Sequence, residues 1–326
     1  MKQTPTNDYE HGPKVVALGG GHGLAATLSS LRTLTPRITA IVTVADDGGS
    51  SGRLRSEFGI LPPGDLRMAL AALCADDPWG SRWAAVVQHR FGGDGATAGH
   101  SLGNLILAAL WEMHGDWVVG LDRVAELLRV VGRVLPMAGT PLEICALIED
   151  PLTGQVDEIR GQVAVATATG KVLALSLHPA DPPALPEAIA AIGQADWITI
   201  GPGSWYSSVM PHLLVPAQRE ALISSKAAKI VLVNLDARPS DASLGEAGGQ
   251  PPEDHLAFLA THAPGLRLDV VVADPTTVSN HQRLIDVAGA LGARVIVADL
   301  ADGLDSVHHD PIKLAAALKD VFDGRA

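Results

Sequence analysis

Five short segments of the chain carry the residue types that hold phosphate, ribose or a cation. The first is Gly19-Gly20-Gly21-His22-Gly23. Glycine admits positive φ and lets backbone N–H groups approach an anion with no Cβ in the way. A helix N-terminus behind the turn adds partial positive charge. Together these predict a phosphate-binding turn for a nucleotide-type ligand. The dinucleotide pattern G-x-G-x-x-G is not met, because Leu24 takes the third glycine position, and no Lys-Ser/Thr pair follows as in a Walker loop. The alternative is a turn whose glycines only permit close packing.

The second segment is Asp46-Asp47-Gly48-Gly49-Ser50-Ser51-Gly52. Adjacent carboxylates can accept ribose hydroxyls or hold Mg²⁺ through water, or they can cap turns. The small residues after them, Gly49, Ser50 and Ser51 among them, argue against capping alone. In the third, Pro62-Pro63-Gly64-Asp65-Leu66-Arg67, Asp65 reads as a helix N-cap. Arg67 sits in a first helical turn, where a cation opposes the macrodipole, which predicts that it serves a ligand phosphate.

The fourth segment, Gly99-His100-Ser101-Leu102-Gly103-Asn104, opens an apolar helix with Ser101 as N-cap. Gly103 costs helix propensity, so something is expected to approach its backbone closely. His100 reads as a structural hydrogen-bonder or a ligand contact, with Asn104 beside it. The fifth, Ile200-Gly201-Pro202-Gly203-Ser204-Trp205-Tyr206-Ser207-Ser208, repeats the strand–glycine–serine design, and Asn234 ends the run VLVNL. His308-His309-Asp310 precedes Pro311 and reads as a helix cap rather than a metal site. No nucleophile stands out: Gly203-Ser204 lacks the G-x-S-x-G elbow, and Cys74 and Cys145 lie in apolar runs.

Strands and helices must bring these segments together. Residues 14–18 (KVVAL) are apolar up to a glycine, as a fully buried parallel strand is. Helical spacing follows over 24–34, and 38–44 is β-branched, so a right-handed crossover puts both strand ends on one sheet edge. Residues 46–64 read as a long functional loop. Helices are expected at 66–73, 83–89, 101–113 and 118–130. Strand and hairpin signals follow at 143–148, 162–167 and 171–177. Then helices (186–192, 217–224, 253–262, 282–291, 312–322) alternate with strands (197–200, 230–235, 268–273, 294–298). This is an α/β pattern with a mostly parallel sheet and helices on both faces, and ligands bind beyond the strands' carboxyl ends. Residues 1–13 are expected to be a disordered leader, 14–326 a single nucleotide-binding domain, and about 133–178 a small hairpin extension.

Composition narrows the partners. With 47% apolar and 18% charged residues in 326, a large core is available. No apolar run approaches the ~20 residues that span a bilayer, and residues 1–13 lack the apolar region of a signal peptide, so no membrane insertion is expected. Two cysteines in apolar contexts suggest reduced thiols and a cytoplasmic location. A net charge of −12, from 36 acidic against 24 basic residues, offers no basic stripe for nucleic acid.

The segments GGGHG, TVADDGGSSGRLR, ILPPGDLR, AGHSLGNLILAAL, RVLP and IGPGSWYSSVMPHLLVP, in that order, resemble the gluconeogenesis factor (YvcK-like) family. That family is a branch of the CofD-like group containing 2-phospho-L-lactate transferase, and the resemblance runs over about residues 14–318. It implies a Rossmann-like CofD fold in a cytoplasmic bacterial protein that binds a UDP-sugar such as UDP-N-acetylglucosamine, with no required cofactor. It also implies links to gluconeogenic growth, cell shape and cell-wall precursor control, through an unidentified protein partner; a homo-oligomer, a dimer, is expected. No settled catalytic activity goes with this branch. The transferase branch instead moves a phospholactyl group from a guanylyl donor to a deazaflavin, which would put Mg²⁺ on Asp46, Asp47 and Asp65. A nicotinamide-dependent oxidoreductase is a third reading, suggested only by the glycine turn. The sequence departs from the family's usual pattern at His22 (usually threonine), at Met68 (usually asparagine), and after Asn234. Arg283 is the stand-in for a later basic segment.

Overall fold

The protein is described from a computed structural model covering residues 11–235, 251–303 and 306–324. The first crossover runs β1 (Val15–Gly19), α1 (Gly21–Leu31), β2 (Ile38–Val42). Five helices follow before the chain rejoins the sheet: α2 (Gly49–Phe58), α3 (Pro63–Ala72), α4 (Pro78–Gln88), α5 (Leu102–His114) and α6 (Trp117–Leu128). β3 (Arg133–Pro136) then leads into β4 (Glu143–Glu149), β5 (Val156–Arg160), α7 (Gln162–Thr167) and β6 (Lys171–His178). The remainder is α8 (Pro186–Gln194), β7 (Trp197–Ile200), α9 (Pro211–Leu214), α10 (Pro216–Ser224), β8 (Ala228–Leu232), α11 (Pro252–His262), β9 (Val270–Ala273), α12 (His281–Ala290), β10 (Arg294–Val297) and α13 (Pro311–Phe322).

Seven strands form one sheet in the order β10-β9-β8-β7-β1-β2-β3, every neighbouring pair parallel. β1 and β9 are buried along their whole length, as their unbroken apolar runs require of strands covered on both faces. From β1 the chain moves to β2 on one side, whereas from β7 it moves to β8 on the other. The strand order therefore reverses between the adjacent β1 and β7, where a crevice opens beyond their carboxyl ends.

A second, antiparallel sheet has the order β5-β4-β6. Its Ile144, Ile148, Val172 and Leu175 belong to the same continuous hydrophobic cluster as Leu18, Ile41 and Ile198 of the main sheet. The extension therefore shares the core. Among the described residues no helix is long and apolar enough to cross a membrane.

Four expectations need correction. The stretch 46–64 is not a loop throughout: it contains α2, closed by Gly59 at φ 65. The buried face of α2 is Ser50, Ser51 and Leu54, so it carries no apolar stripe for periodicity to detect. Residues 162–167, whose alternating valines imitate a strand, form α7. β5 was missed because it is mostly exposed and held by pairing with β4. Finally, β3 belongs to the main sheet, so the extension begins after Pro136 rather than at 133. Most of the expected leader lies outside the described residues, as does the altered segment after Leu235. Gly12 and Pro13 are anchored, their carbonyls accepting from Arg37 Nη1 (3.0 Å) and Thr35 Oγ1 (2.9 Å).

Candidate functional site

A cleft of about 350 Å³ lies at the switch point. Its floor is the Gly20-Gly21-His22-Gly23 turn, which opens α1, and it is faced by Gly203, Ser204, Ser207 and Ser208 from the turn after β7. Gly20 is the N-cap of α1 and, lacking a side chain, caps nothing. Gly21 donates its N–H to Asp65. The His22 and Gly23 amides then start the helix with no carbonyl behind them, the arrangement that attracts an anion. Gly21 has φ +59, a conformation that favours glycine.

The Gly19 carbonyl at the end of β1 accepts from Thr43 N–H after β2 at 3.0 Å and is also held from outside the sheet. His212 Nε2 donates to the Gly19 carbonyl at 3.3 Å, and its Nδ1 accepts from Gln218 Nε2 at 2.8 Å. Burial pushes the His212 pKa down to about 4, so the ring is neutral and the pair of bonds is fixed.

Beside the cleft, the other sequence candidates form a buried polar cluster. Thr43 Oγ1 donates to Asp65 Oδ2 at 3.3 Å. Burial, reinforced by the neighbouring Asp46 charge, pushes the Asp65 pKa up to about 7. Gly64 N–H donates to Ser51 Oγ at 3.0 Å. Ser50 Oγ accepts from Asn104 Nδ2 at 3.0 Å and meets His100 Nδ1 at 2.9 Å. Burial lowers the His100 pKa, with Arg53 adding to it. Arg67 Nη1 donates to Ser101 Oγ at 3.1 Å, while buried Arg67 Nε and Asn104 Oδ1 have no hydrogen-bond partner among the described residues.

Several candidates take roles other than those expected. Asp65 is not the N-cap of α3; that position is Pro62, and Asp65 sits in the first turn with its carboxylate on Thr43 and Gly21. Arg67 does not line the cleft. Burial lowers its pKa to about 10, and it braces α3 against α5 through Ser101. Gly103 is explained by the same packing, since a Cβ there would lie 2.8 Å from Arg67 Cγ and from the Val87 carbonyl. Ser101 holds the N-cap position of α5 but makes no side-chain cap. Tyr206 faces the core, edge-on to His255 and Phe258, not the cleft.

Each of the three acids considered for Mg²⁺ is engaged by a different partner. Asp46 Oδ1 accepts from Gly48 N–H (2.9 Å), Asp47 Oδ1 accepts from Val163 N–H (3.0 Å), and Asp65 is engaged as described. Among the described residues no three His, Cys, Asp or Glu side chains are gathered as a metal-ligand set. As placed, these residues do not fit a shared cation site.

Of the later candidates, Gly203, Ser204 and Asn234 line the cleft. Ser207 and Ser208 of the same segment line it as well; sequence reasoning missed Gln162 and Val307, and read His308 and His309 only as part of a helix cap, although all four line the cleft. Asp310 caps α13 as expected, accepting from Ile312 N–H at 2.7 Å, and this places His308 and His309 at the cleft wall. His22 then has a partner that no local pattern reveals: its ring stands edge-on to His308, centroids 6.2 Å apart.

A parallel sheet with its cleft at the switch point, floored by an uncapped helix N-terminus, defines a Rossmann-like α/β protein. The family model described as 2-phospho-L-lactate transferase CofD matches residues 15–312, and the chain belongs to the CofD family. Its relatives include a putative gluconeogenesis factor of Mycobacterium leprae, 51% identical over 96% of this chain and 87% of the relative. The gluconeogenesis factor of Bacillus subtilis is 36% identical over 95% of this chain and 98% of its own. Among solved structures, a protein from Bacillus halodurans, described in one crystal structure as a member of the UPF0052 family, is 34% identical with a TM-score of 0.82. That superposition covers 94% of this chain and 99% of the other.

Proposed function

We propose that this protein binds a nucleotide sugar of the UDP-N-acetylglucosamine type in the switch-point cleft, and that the occupied state regulates gluconeogenic growth and cell-wall precursor supply. The observation that carries the reading is the uncapped N-terminus of α1, whose His22 and Gly23 amides face the Gly203–Ser208 turn across the cleft. A pyrophosphate satisfies such amides without a basic side chain. The imidazoles of His22 and His308 supply flat surfaces beside it. Relatives named gluconeogenesis factor along nearly the whole chain support the physiological half of the reading. In this reading the protein acts in the bacterial cytoplasm, and a partner protein senses occupancy.

Calorimetric titration with UDP-N-acetylglucosamine, alongside a thermal shift, tests it. Saturable binding and a raised melting temperature are expected. No heat and no shift at millimolar ligand would reject the reading.

A second reading, group transfer, is favoured by the family description and by the Asp46–Asp65 proximity. It predicts product from a guanylyl phospholactate donor and a deazaflavin acceptor. The separate partners of Asp46, Asp47 and Asp65 weigh against it.

A further inference from the structure

We infer that Gln162 contacts the glycosyl group of the ligand, and that Asp47 is the positioning residue that holds Gln162 at the cleft. The inference rests on the nucleotide-sugar reading above.

Asp47 follows β2 in the main sheet, whereas Gln162 opens α7 in the extension. The two segments are joined by one hydrogen bond, Val163 N–H to Asp47 Oδ1 at 3.0 Å. The carboxylate thus caps α7 from a distant part of the chain, since α7 has no side-chain cap of its own. Gly161 makes the approach possible: its φ is +93, and a Cβ there would lie 2.3 Å from Asp47 Oδ2. The contact is doubled at Gly48, where a Cβ would meet Val163 Cγ2 at 3.2 Å. Between these two fixed residues, Gln162 lines the cleft with Gly20–Gly23. The extension is therefore clamped to the main sheet at the residue that completes the cleft wall.

The two ends of the cleft differ in chemistry. Asn234, which follows β8, and His308 line the cleft, and the His22–His308 pair presents flat rings of the kind a base packs on. Gln162 is tied through Val163 to Asp47, which follows β2, and β2 and β8 lie on opposite sides of β1 and its glycine turn in the strand order. A carboxamide offers two N–H donors and an acceptor oxygen, which matches vicinal hydroxyls or an acetamido group. With the pyrophosphate on the turn, a base at the imidazole end leaves the sugar beside Gln162.

The test titrates the full chain with UDP and with UDP-N-acetylglucosamine, in wild type, Gln162→Ala, Asp47→Ala and Asp47→Asn. Gln162→Ala should weaken the sugar nucleotide about tenfold, the effect of losing one hydrogen bond to ligand, while UDP stays within about twofold. Asp47→Ala should reproduce that selective loss and speed hydrogen exchange at the Val163 amide. Asp47→Asn retains an acceptor oxygen and should restore both. If wild type binds neither ligand, the nucleotide-sugar reading falls and this inference falls with it. If wild type binds both, and Gln162→Ala shifts both equally or neither, the inference alone is overturned. Asp47→Asn as weak as Asp47→Ala would overturn the positioning role.

Discussion

A Cβ on Gly23 would lie 2.4 Å from the Pro202 carbonyl oxygen, so the turns after β1 and β7 touch through backbone alone. The partner atom is backbone and cannot swing away. Gly23→Ala should therefore push the two walls of the cleft apart, costing about 1–3 kcal/mol of stability and most of the affinity for UDP-N-acetylglucosamine. Urea unfolding and titration of the same variant check both. Gly21→Val makes a contrast, because the nearest atom to a Cβ there is Asp65 Oδ1 at 4.0 Å. Its φ of +59 still strains a β-branched residue. Gly21→Val should abolish binding while the protein stays folded, and binding that survived would put the phosphate elsewhere.

Asp65 gives stability a defined pH dependence. Its folded pKa, about 7, lies above the ordinary 3.8, so the folded state keeps a proton that the unfolded state releases. Its contribution is fully present below about pH 4 and is lost as pH rises to about 7. Wild type should therefore lose stability relative to Asp65→Asn across that window, by up to about 1.4 kcal/mol per pH unit, and run parallel to it above. Chemical denaturation of the two proteins from pH 4 to 8 measures the difference, and parallel curves throughout would refute the assignment.

Three buried histidines act in the opposite direction. His212, His255 and His309 each have a folded pKa pushed down to about 4 by burial, against an ordinary 6.5. The unfolded chain takes up their protons first, so stability is full above about pH 6.5 and falls as pH drops toward 4. Three such groups outweigh one Asp65 where the windows overlap, and the protein should melt at a lower temperature at pH 5 than at pH 7.5. His255 Nε2 has no hydrogen-bond partner among the described residues, and its ring stacks on Trp205 with centroids 4.9 Å apart. His255→Phe keeps the stack and removes the titration, so it should flatten the pH dependence; an unchanged slope would argue against it.

Arg67 braces α3 against α5 through Ser101 and does not line the cleft. Removing it leaves the Asp46 and Asp65 charges without their buried guanidinium and empties the space against Gly103. Arg67→Ala should cost about 1–3 kcal/mol, through the lost packing against Gly103 and the buried Ser101 hydroxyl left without its donor. Any loss of ligand affinity should follow from unfolding and recover when the protein is stabilised by cooling. A large affinity loss in a variant as stable as wild type would instead restore Arg67 to the ligand site.

The sequence by itself determined the sheet and the glycine turn that opens α1. β1, β7 and the glycines after them are legible because a buried parallel strand is a continuous apolar run, and glycine marks where it must turn. The amides that open α1 are equally local. The tertiary structure alone decided what surrounds that turn. Asp47 turns to Val163 rather than a cation, His22 meets His308, and His212 locks Gly19. Hydrophobic periodicity records how deeply a residue is buried. A polar side chain's partner is set by where distant crossovers deliver it, and these partners come from far along the chain. For the same reason α2 and α7 stayed hidden: polar contacts from other segments hold them, not an apolar stripe of their own.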